Sequence, residues 1–267
     1  MGELVFVGMG LHDERDISLR GMEEIQSADA VFAELYTSLM ENSTVKKLSR
    51  LAGKRVVQVS RKMLEEENGQ ELIAVAQRGK AVMLVPGDPM IATTHVDLRI
   101  RARRAGLTTR IVHGASIMSA AVGLSGLQNY KFGRSVTIPF GNGGMASETP
   151  YNVIGSNRDL GLHTLCFLDI RVEEKRYMTI HEALSTLLAV ERKRQESAIT
   201  SATIVVGIAR AGSKNPTVKA GSLNELLSYD FGRPPYTLVF PGKLHFMEAE
   251  ALIELADAPE TVRKMVE

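Results

Sequence analysis

The sequence predicts an α/β protein of two α/β domains, with a largely parallel sheet in the first, and three observations carry that reading. Short β-branched apolar runs at residues 4–7, 31–33, 56–59, 81–85 and 110–112 alternate with stretches of helical periodicity. The run Val82-Met83-Leu84-Val85 is apolar throughout, as a strand buried on both faces requires. After a glycine-rich interval the pattern restarts, with apolar runs at 164–169, 203–208 and 236–240.

Residues 4–7 run directly into Gly8-Met9-Gly10-Leu11. Two glycines there let the main chain approach a ligand, or simply make a tight strand-to-loop turn. The dinucleotide fingerprint needs a third glycine where this chain has Asp13, so NAD binding loses its main support. Asp13-Glu14-Arg15-Asp16 reads as a charged loop, and Ser18 as the cap of a helix with Leu19, Met22 and Ile25 on one face. A helix over 66–78 leads to the strand at 81–85. Pro86 stops that strand because it has no N–H for the ladder. Gly87 permits a turn closed to other residues, and Pro89 fixes the exit. Asp88 is thereby held on a stiff loop at the carboxyl end of a central strand, the edge where open α/β sheets bind ligands. A plain tight turn with a solvated Asp reads equally well.

Thr94 caps a helix running to 105. Its Arg99, Arg101, Arg103 and Arg104 form a solvated face or a dock for an acidic macromolecule. The strand at 110–112 ends in His113-Gly114-Ala115-Ser116. Ser116 caps a helix over 117–122, whose first free N–H groups can equally hold a ligand carboxylate. The division falls here, giving domains 1–113 and 114–267. A glycine-rich segment over 123–150 follows, with Gly141-Asn142-Gly143-Gly144 as a flexible loop. Beyond it come helices over 151–160 and 179–196, the latter with the stripe Ile180, Ala183, Leu184, Leu187 and Leu188. A Pro234-Pro235 loop precedes the last strand, and a helix over 246–256 closes the chain.

Composition excludes several classes. The 267 residues carry 32 Lys and Arg against 31 Asp and Glu, so no global field draws in nucleic acid or a membrane. The single cysteine, Cys166, forms no internal disulfide and reads as a buried, inert thiol, which suits a reducing cytoplasm. No apolar stretch approaches the roughly 20 residues of a membrane helix, and the start is no signal peptide. A soluble cytoplasmic protein is expected. Phosphate-loop, His-Glu-x-x-His and nucleophile-elbow motifs are absent from the sequence. His12, His95, His113, His163, His181 and His245 stand singly, without metal-ligand spacing, and only His95 and His113 adjoin the ligand-like loops. Group transfer from a reactive cofactor is the chemistry these absences leave.

Several motifs then coincide with one class. Gly8-Met9-Gly10-Leu11, Pro86-Gly87-Asp88-Pro89 and the His113-to-Ile117 turn resemble the tetrapyrrole-methylase class of S-adenosyl-L-methionine (SAM) methyltransferases. Further segments resemble the diphthine synthase branch of that class. They are Ala33-Glu34-Leu35-Tyr36-Thr37-Ser38-Leu39-Met40, Thr93-Thr94-His95, Leu162-His163-Thr164-Leu165, Leu168-Asp169-Ile170, Ala209-Arg210-Ala211-Gly212-Ser213 and Pro241-Gly242-Lys243-Leu244-His245. The resemblance implies a cofactor cleft between the two domains, a homodimer, and a modified histidine of translation elongation factor 2 as substrate. By position it implies SAM contacts from Leu11, Asp88, Ile91, Ser116, Ile117, Leu168, Ala211 and Tyr236. The chain departs from the pattern at Gly114-Ala115, where a Pro is frequent, at Arg171 in place of Lys, and at Tyr236 in place of His. A methyltransferase of the same fold acting on a tetrapyrrole or ribosomal RNA is the alternative, and a non-catalytic SAM-binding scaffold the alternative of another class. No catalytic base and no metal ligand is assigned.

Overall fold

The computed structural model describes residues 2–40, 44–141 and 146–267. They form two compact units. One runs through Ser116 and includes Val172–Glu174; the other holds Ile117–Arg171 and Lys175–Glu267. The Asn142-Gly143-Gly144 part of the expected flexible loop lies outside the described residues.

In the first unit β1 (Glu3–Gly8), α1 (Leu19–Ser27), β2 (Ala30–Glu34), α2 (Val45–Ala52), β3 (Val56–Val59), α3 (Gln70–Ala76), β4 (Lys80–Val85), α4 (His95–Arg104) and β5 (Thr108–Val112) follow one another. The strands form one parallel sheet in the order β3-β2-β4-β1-β5. Alternate residues enter opposite cores, which is why the strands are apolar on both faces. Val5, Val7, Val82 and Leu84 meet Ile25 of α1 and Leu48 of α2, while Leu4, Phe6, Met83 and Val85 meet Leu72 of α3 and Leu98 of α4. The neighbours β1 and β4 thus send their helices to opposite faces, and the carboxyl ends of these two strands flank a topological switch point.

The second unit holds α5 (Ile117–Ser125), β6 (Val136–Ile138), α6 (Thr149–Asp159), β7 (Thr164–Leu168), β8 (Ile170–Arg171), β9 (Arg176–Tyr177), α7 (Ile180–Arg194), β10 (Ile204–Ala209), β11 (Thr217–Ser222), α8 (Leu223–Ser228), β12 (Tyr236–Phe240) and α9 (Phe246–Ala256). Its main sheet, β11-β10-β12-β7-β6, is antiparallel except where β6 joins β7. Helices α6, α7 and α8 cover one face and α5 with α9 the other. Cys166 is fully buried in β7, and burial pushes its thiol up, leaving it a small apolar residue. Among the described residues no helix is long and apolar enough to cross a membrane.

Several expectations are corrected. Ser18 does cap α1, accepting the Gly21 N–H at 3.1 Å, and Met22 and Ile25 face the core, but Leu19 is 85% exposed. The helix expected over 66–78 begins only at Gln70. Lys62–Glu66 is a π turn, and Asn68 and Gly69 both take left-handed backbone, which no helix continues through. Thr94 precedes α4 without capping it, because its hydroxyl bonds the Glu65 carboxylate at 3.1 Å. The glycine-rich segment is more than a connector, since it contributes β6 to the second sheet.

Candidate functional site

The loops leaving β1, β4 and β5 converge at the carboxyl edge of the first sheet. Met9 donates its N–H to Val85 O at 2.8 Å, and Gly10 and Gly87 exchange N–H···O bonds of 3.3 and 2.7 Å. A Cβ on Gly8 would lie 2.5 Å from Gly87 O and 2.6 Å from Gly114 N; one on Gly114 would lie 2.5 Å from Gly87 O. These two glycines therefore serve the mutual approach of three loops rather than a phosphate. Gly87 differs: its φ is +69°, and a Cβ there would meet only Ala115 O, at 4.0 Å. It leaves the edge open.

The acidic stretch after β1 is a brace, which the sequence reading missed. Asp16 accepts the N–H groups of Leu11 (3.1 Å) and His12 (2.8 Å), fixing the chain at the expected contact Leu11. Asp13 is buried and chelated by the Arg15 side chain, which holds its carboxyl down at about 2.

Asp88 is not a solvated turn residue. It is 7% exposed, its Oδ1 accepts the Met90 N–H at 2.9 Å, and its Oδ2 lies 2.7 Å from His113 Nδ1. Three residues on, Ile91 is 39% exposed, an apolar side chain left bare beside a buried acid. Ser116 is 8% exposed at the end of this unit. The first unit thus brings Leu11, Asp88, Ile91 and Ser116 to the loops that follow β1, β4 and β5.

The other four expected residues belong to the second unit. Register sets Tyr236 opposite Ala209 and Thr237 opposite Phe167, so Leu168, Tyr236 and the start of the loop carrying Ala211 share one end of that sheet. They divide between its faces: Leu168 and Tyr236 pack with the α7 side, Ala211 and Ile117 with the α9 side. The Tyr236 hydroxyl donates to Gly232 O. Arg171 and Arg176, from the β8–β9 hairpin, stand over the Phe140 ring at 5.3 and 3.9 Å.

Sequence reasoning also missed two buried acid–histidine pairs. Glu34 ends β2 and His95 opens α4, both in the first unit. In the second, His163 and Glu248 lie fully buried at 2.9 Å, joined to Gln128, Lys131, Gly242 and His245. Glu34, His95 and His163 stand in the quoted motifs and Glu248 in none, and the pairing itself leaves no local signal because the partners are 61 and 85 residues apart.

Residues 3–227 match the family model of the Tetrapyrrole (Corrin/Porphyrin) Methylases. The chain belongs to this methylase family. Among other methylases of this kind, a diphthine synthase of Methanosarcina mazei is 49% identical over 269 residues, spanning 99% of this chain and 100% of that one. A diphthine synthase of Methanocella arvoryzae is 49% identical over 253 residues, covering 95% and 98%. A crystal structure of a diphthine synthase superposes with a TM-score of 0.90 at 44% identity, covering 99% and 100%. The two-domain α/β reading and its family follow.

Proposed function

We propose that this methylase is a SAM-dependent diphthine synthase. It methylates repeatedly the amine of the 3-amino-3-carboxypropyl group on the modified histidine of translation elongation factor 2, and acts in the cytoplasm as a homodimer. The observation that carries this is the end-to-end match to diphthine synthases, 49% identical across 99% of the chain. The first sheet's edge supports it chemically. A buried carboxylate at a switch point, an open left-handed glycine and a bare isoleucine suit a ligand that is part polar nucleoside and part apolar.

When bound, SAM supplies a methyl on a sulfonium sulfur, which leaves as a neutral thioether. The chain's share is alignment and a dry site. Asp88 accepts from hydrogen-bond donors of the cofactor, Leu11 and Ile91 offer apolar contact, and main-chain N–H groups at Ser116 and Ile117 hold a further polar group. Leu168, Ala211 and Tyr236 are further proposed contacts that rest on the family resemblance. The substrate amine attacks as its free base, so its proton leaves before the N–C bond forms.

The test incubates the protein with labelled SAM and unmethylated elongation factor 2. Label on the factor is expected; label on RNA or porphyrin instead, or binding without transfer, overturns the assignment. Calorimetry on Asp88→Ala should show SAM affinity falling by about tenfold or more, the loss of one hydrogen bond to a charged group; unchanged affinity removes Asp88 from the site.

Helix α4 supplies the second expectation. Arg99 is tied to Thr109 at 3.3 Å and Arg101 to Asp97 at 2.6 Å, whereas Arg103 and Arg104 are exposed beside the bare Val96 and Ile100. Such a mixed basic and apolar face suits a protein substrate. The double reversal Arg103→Glu with Arg104→Glu should slow turnover on the intact factor, and lower its salt dependence, at unchanged SAM affinity. Unaltered turnover would make the helix a solvated face.

A further inference from the structure

Behind the Pro-Gly-Asp-Pro turn two ionisable side chains are buried face to face without a hydrogen bond between them. Glu34 is 0% exposed and His95 1%. His95 Nδ1 lies 3.2 Å from the Pro89 carbonyl oxygen, which also accepts the Thr93 hydroxyl at 2.7 Å. A carbonyl only accepts, so Nδ1 carries the hydrogen. On a neutral ring Nε2 is then a bare lone pair. It has no hydrogen-bond partner, and it faces Glu34 Oε1 at 3.9 Å. Opposite an ionised carboxylate that lone pair is repelled; a proton on either group turns repulsion into attraction.

The surrounding groups are few. Glu34 also accepts the Thr37 hydroxyl and the N–H groups of Tyr36 (3.0 Å) and Thr37 (3.1 Å). Arg61 is the neighbouring cation, its guanidinium 5.3 Å above the Tyr36 ring, and Glu65 is the further anion near His95. Burial pushes the Glu34 carboxyl up against the pull of the Thr37 and Tyr36 donors and Arg61. Burial likewise pushes the His95 ring down, against the Pro89 carbonyl and Glu65. Both effects keep the proton on the carboxyl and the ring neutral.

We infer that Glu34 and His95 together hold one dissociable proton, and that His95 is a positioning residue setting the Pro89 carbonyl and, through it, Asp88 and Ile91. Asp88 directly precedes Pro89, and its carbonyl accepts the Ile91 N–H at 3.3 Å, so these residues move with that peptide. When the pair loses its proton, the ionised carboxylate repels the Nε2 lone pair, the ring turns out of its seat between Glu34 and Pro89, and the turn loosens. The titration belongs to the pair, not to either residue alone.

The inference rests on reading this loop as a SAM-binding element, and two measurements separate their fates. Nitrogen-15 NMR of the ligand-free protein should show His95 as the Nδ1–H tautomer, titrating together with Glu34. Calorimetry then compares SAM binding by the wild type, Glu34→Gln and His95→Leu from mildly acid to mildly alkaline pH. Glu34→Gln mimics the uncharged carboxyl, so the ratio of wild-type to variant affinity cancels titration of the ligand and of groups outside the pair. That ratio should be near one at the acid end and fall about tenfold as the pair loses its proton, the change of one pKa unit of coupling. His95→Leu should bind about tenfold more weakly than Glu34→Gln at every pH. An Nε2–H tautomer, or a flat ratio with His95→Leu binding like wild type, overturns the inference. Should Glu34→Gln fail to fold, the tautomer and titration of His95 in the wild type decide. A wild type that binds no SAM overturns the functional reading and leaves the tautomer result standing.

Discussion

Glu248→Ala should destabilise the second unit by about 3–5 kcal/mol, the cost of removing one partner from a buried ionic network. The carboxylate is fully buried and accepts from four donor groups. These are the Gln128 N–H at 2.7 Å, the His245 N–H at 2.8 Å, the His163 ring at 2.9 Å and the Lys131 ammonium at 3.1 Å. The ring's other nitrogen accepts the Gly242 N–H at 2.9 Å, so His163 is neutral with its hydrogen on Nε2. Alanine strands all four donors. Glutamine should not rescue fully, because its amide NH₂ turns donors against donors. Urea unfolding followed by a probe in this unit reads the loss; a change under about 1 kcal/mol would mean that water replaces the carboxylate.

The same network sets an acid limit. Burial pushes Glu248 up, but the Gln128 and His245 amides, the His163 ring and Lys131 together bring it below its ordinary value. Burial pushes His163 down, against the pull of Glu248. Both groups therefore bind protons more readily in the unfolded chain, and stability falls as pH drops. The His163 share starts to be lost below its unfolded pKa of about 6.5, and the Glu248 share below its unfolded pKa of about 4.3. His163→Gln should remove the first part of the decline and leave the second.

Much of the fold was legible because burial on both faces writes itself into sequence. The strands with four or five buried residues in a row, β1, β2, β4, β10 and β12, were all found. β11 was not: it is an edge strand with only Ala220 and Gly221 buried, so no apolar run marks it. Helix α8 follows it with a readable capping box, Ser222 with Glu225, but is too short for periodicity. Helix α2 carried its own punctuation, Thr44 at the cap and Gly53 in left-handed backbone, with the unread Leu48 as its anchor. Asp88 and Ser116 were legible as candidates because proline, glycine and a cap position are local signals. That Asp88 faces His113, Glu34 faces His95 and Asp16 holds Leu11 was not. The first two join the ends of different elements, and the third gives a charged loop a use that charge alone does not specify.

Gly8→Ala should be among the most damaging single-methyl additions to the first unit, with Gly114→Ala close behind. Each new Cβ would sit 2.5 Å from Gly87 O, with further main-chain atoms of Gly114 or Gly8 within 3.0 Å. Main chain cannot rotate aside as a side chain can, so the β1, β4 and β5 loops must part. A cost on the order of 3 kcal/mol, the upper end for overpacking, is expected in thermal or denaturant unfolding. Gly123→Ala is the control: this position lies within α5 with nothing inside 4 Å, so the exchange should stabilise by about 0.5–1 kcal/mol through helix propensity. Gly87→Ala separates folding from binding. Its Cβ meets only Ala115 O at 4.0 Å, so the fold bears mainly the penalty of φ +69°, about 1 kcal/mol. Its methyl nevertheless enters the open edge beside Asp88, where SAM affinity should drop by more than that penalty accounts for. If Gly8→Ala and Gly87→Ala lost stability and affinity in the same proportion, the three-loop junction and the open edge would be one feature, and the separate roles given to these glycines would fall.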